Sequence, residues 1–462
     1  MKLANVGMAL MPKAPRLKKI LGPSFILLGL GLGSGELILW PYMSANYGMG
    51  IIWGAVLGIS FQFFLNMEIE RYTLVNGESV FVGLGRKLGW LSPIWFIIST
   101  LIPWMWPGII LSSAVIVAAT LGILNSQLLA VLMLLLIGAI LTLGPVIYKT
   151  QEWFQKNLIL LGVPIILLMA VILTDGSNWQ SLAAGLIGKG DNYWFLPKGI
   201  ALLSFIGAFA YSGAGGNLNL AQSFYIKEKG YGMGKYGGKI TSILTGKKEK
   251  ISLVGKTFKI NGVNLKRFKE WWKVINLEHA LVFWFTGALT IILLSLLSYS
   301  TVHGSVKVEG INFLFEEAKV IGIRTWPFLG MVFLILSSLM LFSTQLSVLD
   351  ATSRIMSENL IIFDQKRFKV NNLGRYYYLF LWLLIMLGIG IISLGFEQPL
   401  KLVIIGAALN AVSMLVYSVA VLYLNLTCLD KKVRPSALRV GVMLLEIVFF
   451  FVFCFLTLRQ GI

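Results

Sequence analysis

Apolar residues fall in runs of about 20, the length at which a helix crosses the hydrocarbon core of a bilayer. Eleven runs are legible, near 22 to 46, 50 to 70, 93 to 121, 126 to 144, 151 to 173, 198 to 225, 275 to 299, 326 to 353, 376 to 395, 399 to 424 and 438 to 458. The pattern predicts an all-α integral membrane protein with about 11 transmembrane helices. Two runs are interrupted. The first places Gly29, Gly31, Gly33 and Gly35 at alternate positions before Glu36, and the sixth has a small-residue centre from Ser212 to Asn217. Glycine loses the most backbone entropy in a helix, so each run reads as two half-helices about a break. Backbone groups freed inside hydrocarbon are tolerated only where protein or a water-filled cavity satisfies them, so both breaks are expected to line a cavity.

The second break comes five spans after the first. A five-helix unit is odd, so its repeat enters the membrane from the other side, and paired interrupted helices then mark a midplane site between inverted repeats. The organisation expected is a cytoplasmic segment 1–20, a first five-helix repeat 21–173, an extracellular loop 174–197, a second repeat 198–424 containing a basic loop 226–274, and a final piece 425–462 with the eleventh helix.

Composition agrees with a membrane chain: 57% of residues are hydrophobic and 13% charged, against about 25% charged in soluble proteins. The net charge of +19 would suit nucleic acid, yet 13 of the 39 lysines and arginines fall between Lys227 and Lys273. That clustering is a cytoplasmic-loop signature, and no nucleic-acid module is recognisable. Threading eleven spans puts the basic loops on one side, with the N-terminus cytoplasmic and the C-terminus outside the cell membrane. The N-terminal MKLANVGMALMPKAPRLKK lacks a signal peptide's apolar core. The basic loop reads as a solvated connector whose later part, WWKVINLEHA, is amphipathic. Cys428 and Cys454 lie near opposite ends of the last two spans, too far apart to bridge.

Few ionisable residues lie within the spans, and each is a candidate by default. Glu36 is the foremost, at the break of the first. Glu68 and Glu70 beside Arg71, and Asp350 four residues before Arg354, read as internal ion pairs; Glu446 reads as a packing or oligomer contact. Polar stripes at helical spacing in spans eight (Ser337 to Ser347, including Gln345) and ten (Asn410, Ser413, Tyr417) face protein or water. IPWMWPG, from Ile102 to Gly108, should bend span three. The two histidines, His279 at a helix end and His303 in a loop, offer no acid–base chemistry inside the membrane, and neither zinc spacing nor a nucleotide fingerprint occurs. No enzyme activity and no cofactor are expected.

GPSFI from Gly22, QFFLNMEIERYTLVNGES from Gln62, IGAFAYSGAGGNLNL from Ile206 and FSTQLSVLDATSRIMSEN from Phe342 resemble the Nramp divalent-metal transporters of the amino acid, polyamine and cation superfamily. The resemblance implies an inverted five-helix repeat with discontinuous helices 1 and 6 and metal bound between them. Where that family has Asp-Pro-Gly-Asn, this chain has Gly33, Ser34, Gly35 and Glu36; where it has Met-Pro-His, this chain has Ala214, Gly215 and Gly216 before Asn217. The metal-binding aspartate and the thioether are absent, and the family's helix-three acids have no counterpart. Proton-driven manganese or iron uptake is therefore not expected.

What remains is a set of oxygen ligands, suited to a hard cation such as magnesium. The residues expected around the substrate are Gly33, Ser34, Gly35, Glu36, Gly213, Ala214, Gly215 and Asn217, with Gln345 and Asn410 as lining and Glu36 and Asn217 as metal ligands. An organic amine or amino acid carrier on the same helices, or a non-transporting sensor, stays open. Membrane lipid is a partner, and self-association stays open too.

Overall fold

The computed structural model describes residues 6–15, 22–143, 147–237, 252–304 and 309–460. Among these, ten helices are long and apolar enough to cross a membrane: Pro23–Tyr47, Met49–Asn76, Leu91–Leu121, Ser126–Leu143, Gln155–Leu173, Gly262–Val302, Pro327–Phe363, Val370–Ser393, Pro399–Cys428 and Ala437–Gln460. The remaining predicted run is in two pieces, Leu202–Ala210 and Gln222–Lys229, each too short to cross alone. Counting that broken run as span six gives spans one to eleven in chain order.

Span one is apolar or glycine on every face, which is the pattern of a helix surrounded by protein. It is buried from Pro23 to Pro41 and forms the axis of the bundle. Spans four and eleven are peripheral, with Leu132, Leu136, Leu445 and Phe451 exposed on their outer faces.

The interruption of span one takes an unforeseen form. The chain does not open; it passes from α-helix (Pro23–Gly31) into a π-helix (Leu32–Leu39) and back (Trp40–Tyr47), with the Trp40 amide bonded to Gly35 O five residues back. A π turn shifts the hydrogen bond by one residue, so the backbone stays satisfied while its faces are re-aimed. Span six does open, at Tyr211 to Gly215, before a 3-10 turn over Gly216–Ala221. Gly215 and Gly216 there have φ of 76° and 54°, a region that glycine enters without a Cβ clash. Span three bends as expected, its helices Leu91–Trp104 and Gly108–Leu121 meeting at Pro107.

Two boundaries differ from the hydropathy reading. Span eight continues to Phe363 through the polar stretch after Asp350, because that stretch is buried among other spans. Span seven begins at Gly262, so WWKVINLEHA lies within it rather than in a separate surface helix. The described parts of the basic loop are folded, not a solvated connector. Gly7–Met8 pairs with Lys256–Thr257, Arg267 donates to Met11 O at 2.7 Å, and Trp271 Nε1 donates to Pro12 O at 3.0 Å. Apolar residues at Phe258, Phe268 and Trp271 are buried there and hold the segments together. The remainder of that loop, 238–251 with GKKEK, and residues 1–5 and 16–21 of the N-terminal segment, lie outside the described residues.

Candidate functional site

The alternate glycines of span one each meet a different neighbour. A Cβ at Gly29 would overlap the Gln155 side chain of span five; at Gly31, the Gly213 carbonyl; at Gly35, the Tyr211 carbonyl. At Gly33 it would lie 2.7 Å from Thr344 Oγ1 of span eight. Gly31 and Gly35 therefore bring the span-one backbone onto the broken backbone of span six, where a cavity was expected. Thr344 pins the seam further, accepting from Gly33 N and donating to Gly29 O, both at 2.9 Å.

Side chains bond the backbone of the open stretch of span six. Gln62 of span two donates to Ala210 O at 3.0 Å and accepts from Gly215 N at 3.3 Å and Asn219 Nδ2 at 3.2 Å. Trp40 Nε1 donates to Ser212 Oγ at 3.0 Å. Asn410 of span ten donates to the Tyr211 hydroxyl at 2.9 Å, beside the break. Gln62, Trp40 and Tyr211 were not anticipated, whereas Thr344 belongs to the polar stripe of span eight. Of these three, Gln62 left a signal, as an amide in the apolar part of span two.

Toward the end of the bundle that holds Pro399, the bend of span three closes over the break. Trp104 stacks on Tyr211 with centroids 5.3 Å apart and planes at 7°. Beside them Trp106, Gln345, Leu402 and Gly406 line a cavity of about 10 Å³, room for about one water. Gln345 thus lines a small space.

Glu36 lies within the π-helical segment, fully buried. Its carboxylate lies on the side of spans two and seven: a Cβ at Gly287 would meet Glu36 Oε1 at 3.5 Å and Ile59 at 2.5 Å. Neither carboxylate oxygen has a hydrogen-bond partner, and the Ser34 hydroxyl has none. Asn217 faces elsewhere, donating to Ser99 Oγ at 2.8 Å and Thr100 Oγ1 at 2.9 Å of span three, with its Oδ1 unbonded. The two expected metal ligands are on different sides of the seam, and no hydrogen bond joins them. No group of three or more His, Cys, Asp or Glu is placed to hold a metal among the described residues. Gly213, Ala214 and Gly215 form the open turn itself.

The remaining charged candidates lie toward the end that carries the basic loops. Arg71 bonds both oxygens of Glu68, at 2.7 and 3.1 Å. Arg354 bonds Asp350 at 2.8 Å and also Glu228 of span six, while the Tyr377 hydroxyl donates to Asp350 at 2.8 Å. Glu446 accepts from Ser418 at 3.2 Å, a packing contact between spans ten and eleven. Both cysteines are free thiols. His279 corrects the expectation: it is fully buried, against Ser24 and near Glu70, because span seven starts well before it.

No family model and no curated protein sequence matches the chain. Solved structures do. A mutant of the Eremococcus coleocola manganese transporter is 13% identical, with a TM-score of 0.71 over 100% of this chain and 90% of that one. Mhp1, a nucleobase-cation-symport-1 family transporter with bromovinylhydantoin bound, gives 11%, 0.55 and coverage of 100% and 96%. MhsT in complex with L-phenylalanine gives 14%, 0.52, 97% and 99%. The chain has their fold. At 11 to 14% identity the likeness carries the fold and nothing of the cargo.

Proposed function

We propose that this protein is a secondary transporter that moves a small cation, a hard divalent ion such as magnesium, by alternating access about the seam of spans one and six. The observation that carries the reading is Glu36. An isolated carboxylate in a low-dielectric interior is costly, and a bound cation offsets that cost. Ser34 Oγ, the carbonyls around Gly33 and Gly35, and Asn217 Oδ1, reached by a local rearrangement of the open turn, would complete an oxygen set. Magnesium suits such a set because it keeps several of its waters and needs few protein ligands. The fold neighbours are described with manganese, a hydantoin and an amino acid, so the cargo class rests on the residues.

The face with the basic loops and the N-terminus is proposed as cytoplasmic, which puts the C-terminus outside. Reconstituted into liposomes, the wild-type chain should pass magnesium in a panel with calcium, manganese and sodium. Glu36→Gln should slow that flux at least about tenfold, a loss of about 1.4 kcal/mol or more in barrier terms. Equal flux in the two proteins would remove Glu36 from the site.

A further inference from the structure

At the Gly22 end of span one, five side chains from four spans form one buried group. Ser24 Oγ of span one donates to a carboxylate oxygen of Glu278 and lies 2.8 Å from Nδ1 of His279, both in span seven. With its proton given to Glu278, Ser24 accepts from His279, which assigns the hydrogen to Nδ1 and leaves Nε2 bare. His279 Nδ1 is 3.6 Å from Glu70 Oε1 of span two, and Gln222 Nε2 of span six donates to that same oxygen at 2.5 Å. Phe63 and Phe283 stack on the imidazole, at 5.7 and 4.7 Å between centroids, and shut it from water.

Several atoms of this group are buried and unbonded: Glu70 Oε2, Glu278 Oε1, His279 Nε2 and Gln222 Oε1. Asn66, one turn before Glu70 on the same helix face, is also buried with neither amide atom bonded. The charged groups that face it are Arg439 of span eleven, engaged with Glu68 and Asn276; Arg71, engaged with Glu68; and Lys229 of span six, toward Glu278. Two carboxyls and an imidazole confined together in low dielectric favour holding a proton between them. The described residues offer no three-ligand metal set here. A proton needs no coordination shell. His279 also immediately precedes the π-helical turn Ala280–Phe285, a local irregularity of the kind found at moving or binding positions.

We propose that Glu70, Glu278 and His279 form a proton-binding site, and that its occupancy sets how firmly Ser24 ties the end of span one to span seven. The proposal stands apart from the identity of the cargo.

The chain has only two histidines, so imidazole NMR of the full chain labelled at histidine, in a His303→Gln background, reports His279 alone. The His279 signals should shift with pH as the group takes up its proton, and Glu70→Gln and Glu278→Gln should each displace that pH-dependent shift by about one pH unit or more. Amide exchange across Pro23–Gly31, corrected for the intrinsic pH effect, should change at the same midpoint and move with it in the variants. Ser24→Ala, which removes the tie without altering charge, should uncouple exchange from the titration, and it keeps the test readable where a carboxyl variant fails to fold. His279 signals that do not shift with pH, shift alike in all variants, or shift without any change in exchange across span one would overturn the proposal.

Discussion

Glu36 and Gly35 are adjacent, yet they pose opposite problems for the fold. Gly35 lies where any Cβ would overlap the Tyr211 carbonyl, so Gly35→Ala must push spans one and six apart. Overpacking of that kind costs about 1 to 3 kcal/mol and should lower the thermal midpoint of the purified protein; an unchanged midpoint would mean that the seam is looser than described. Glu36 is an unbonded buried carboxylate, so Glu36→Gln without added cation should leave the midpoint unchanged or raise it, since a neutral amide is easier to bury. Sequence made Glu36 legible because an acid in an apolar run is conspicuous. It did not show which neighbour the carboxylate faces, since that depends on how the π turn rotates the helix. His279 was hidden for another reason: the basic residues before it mask the fact that the helix is continuous into the membrane.

Among the elements, span positions were the most legible part, because lipid demands about 20 apolar residues per crossing and few sequences satisfy that by accident. The exceptions are the places where protein replaces lipid as the surrounding medium. The end of span eight is polar and buried, and its Arg354 holds Asp350 in its own helix and Glu228 in span six. Arg354→Ala would strand two buried acids, and breaking such pairs costs about 3 to 5 kcal/mol. The expected result is a large fall in midpoint, partly recovered by adding Glu228→Gln to the Arg354→Ala protein. The helix Asn312–Arg324, outside the spans, carries a second test. Burial holds the Glu317 carboxyl well above the usual carboxylate range. A raised acid favours the folded state below its unfolded value, near about 4.3, and that contribution is lost as pH rises through the folded value. Glu317→Gln should therefore gain stability over wild type progressively as pH rises from about 4 to 8, measured by midpoint against pH. A constant difference would place Glu317 in contact with water.

For the whole molecule, the paired interruptions five spans apart were enough to anticipate the architecture, because an odd repeat allows only an inverted arrangement. The way the two interruptions meet was not legible. Contacts such as Gly31 on Gly213, and Gln62 on Ala210 and Gly215, join residues roughly 150 to 180 positions apart, and no local pattern encodes them. The resulting core is closed on both sides, by Trp104 on Tyr211 at one and by the Arg354 and Ser24 groups at the other. The proposed transport about this seam would require those closures to open in turn, with Glu36 inside them. The most direct test is the thermal midpoint of the full chain titrated with magnesium, in wild type and Glu36→Gln. A ligand bound to the folded state alone stabilises it by about 2.7 kcal/mol at a hundredfold excess over its Kd. The wild-type midpoint should rise saturably with magnesium while that of Glu36→Gln stays level; an equal rise in both, or none in wild type, would contradict a cation site at Glu36.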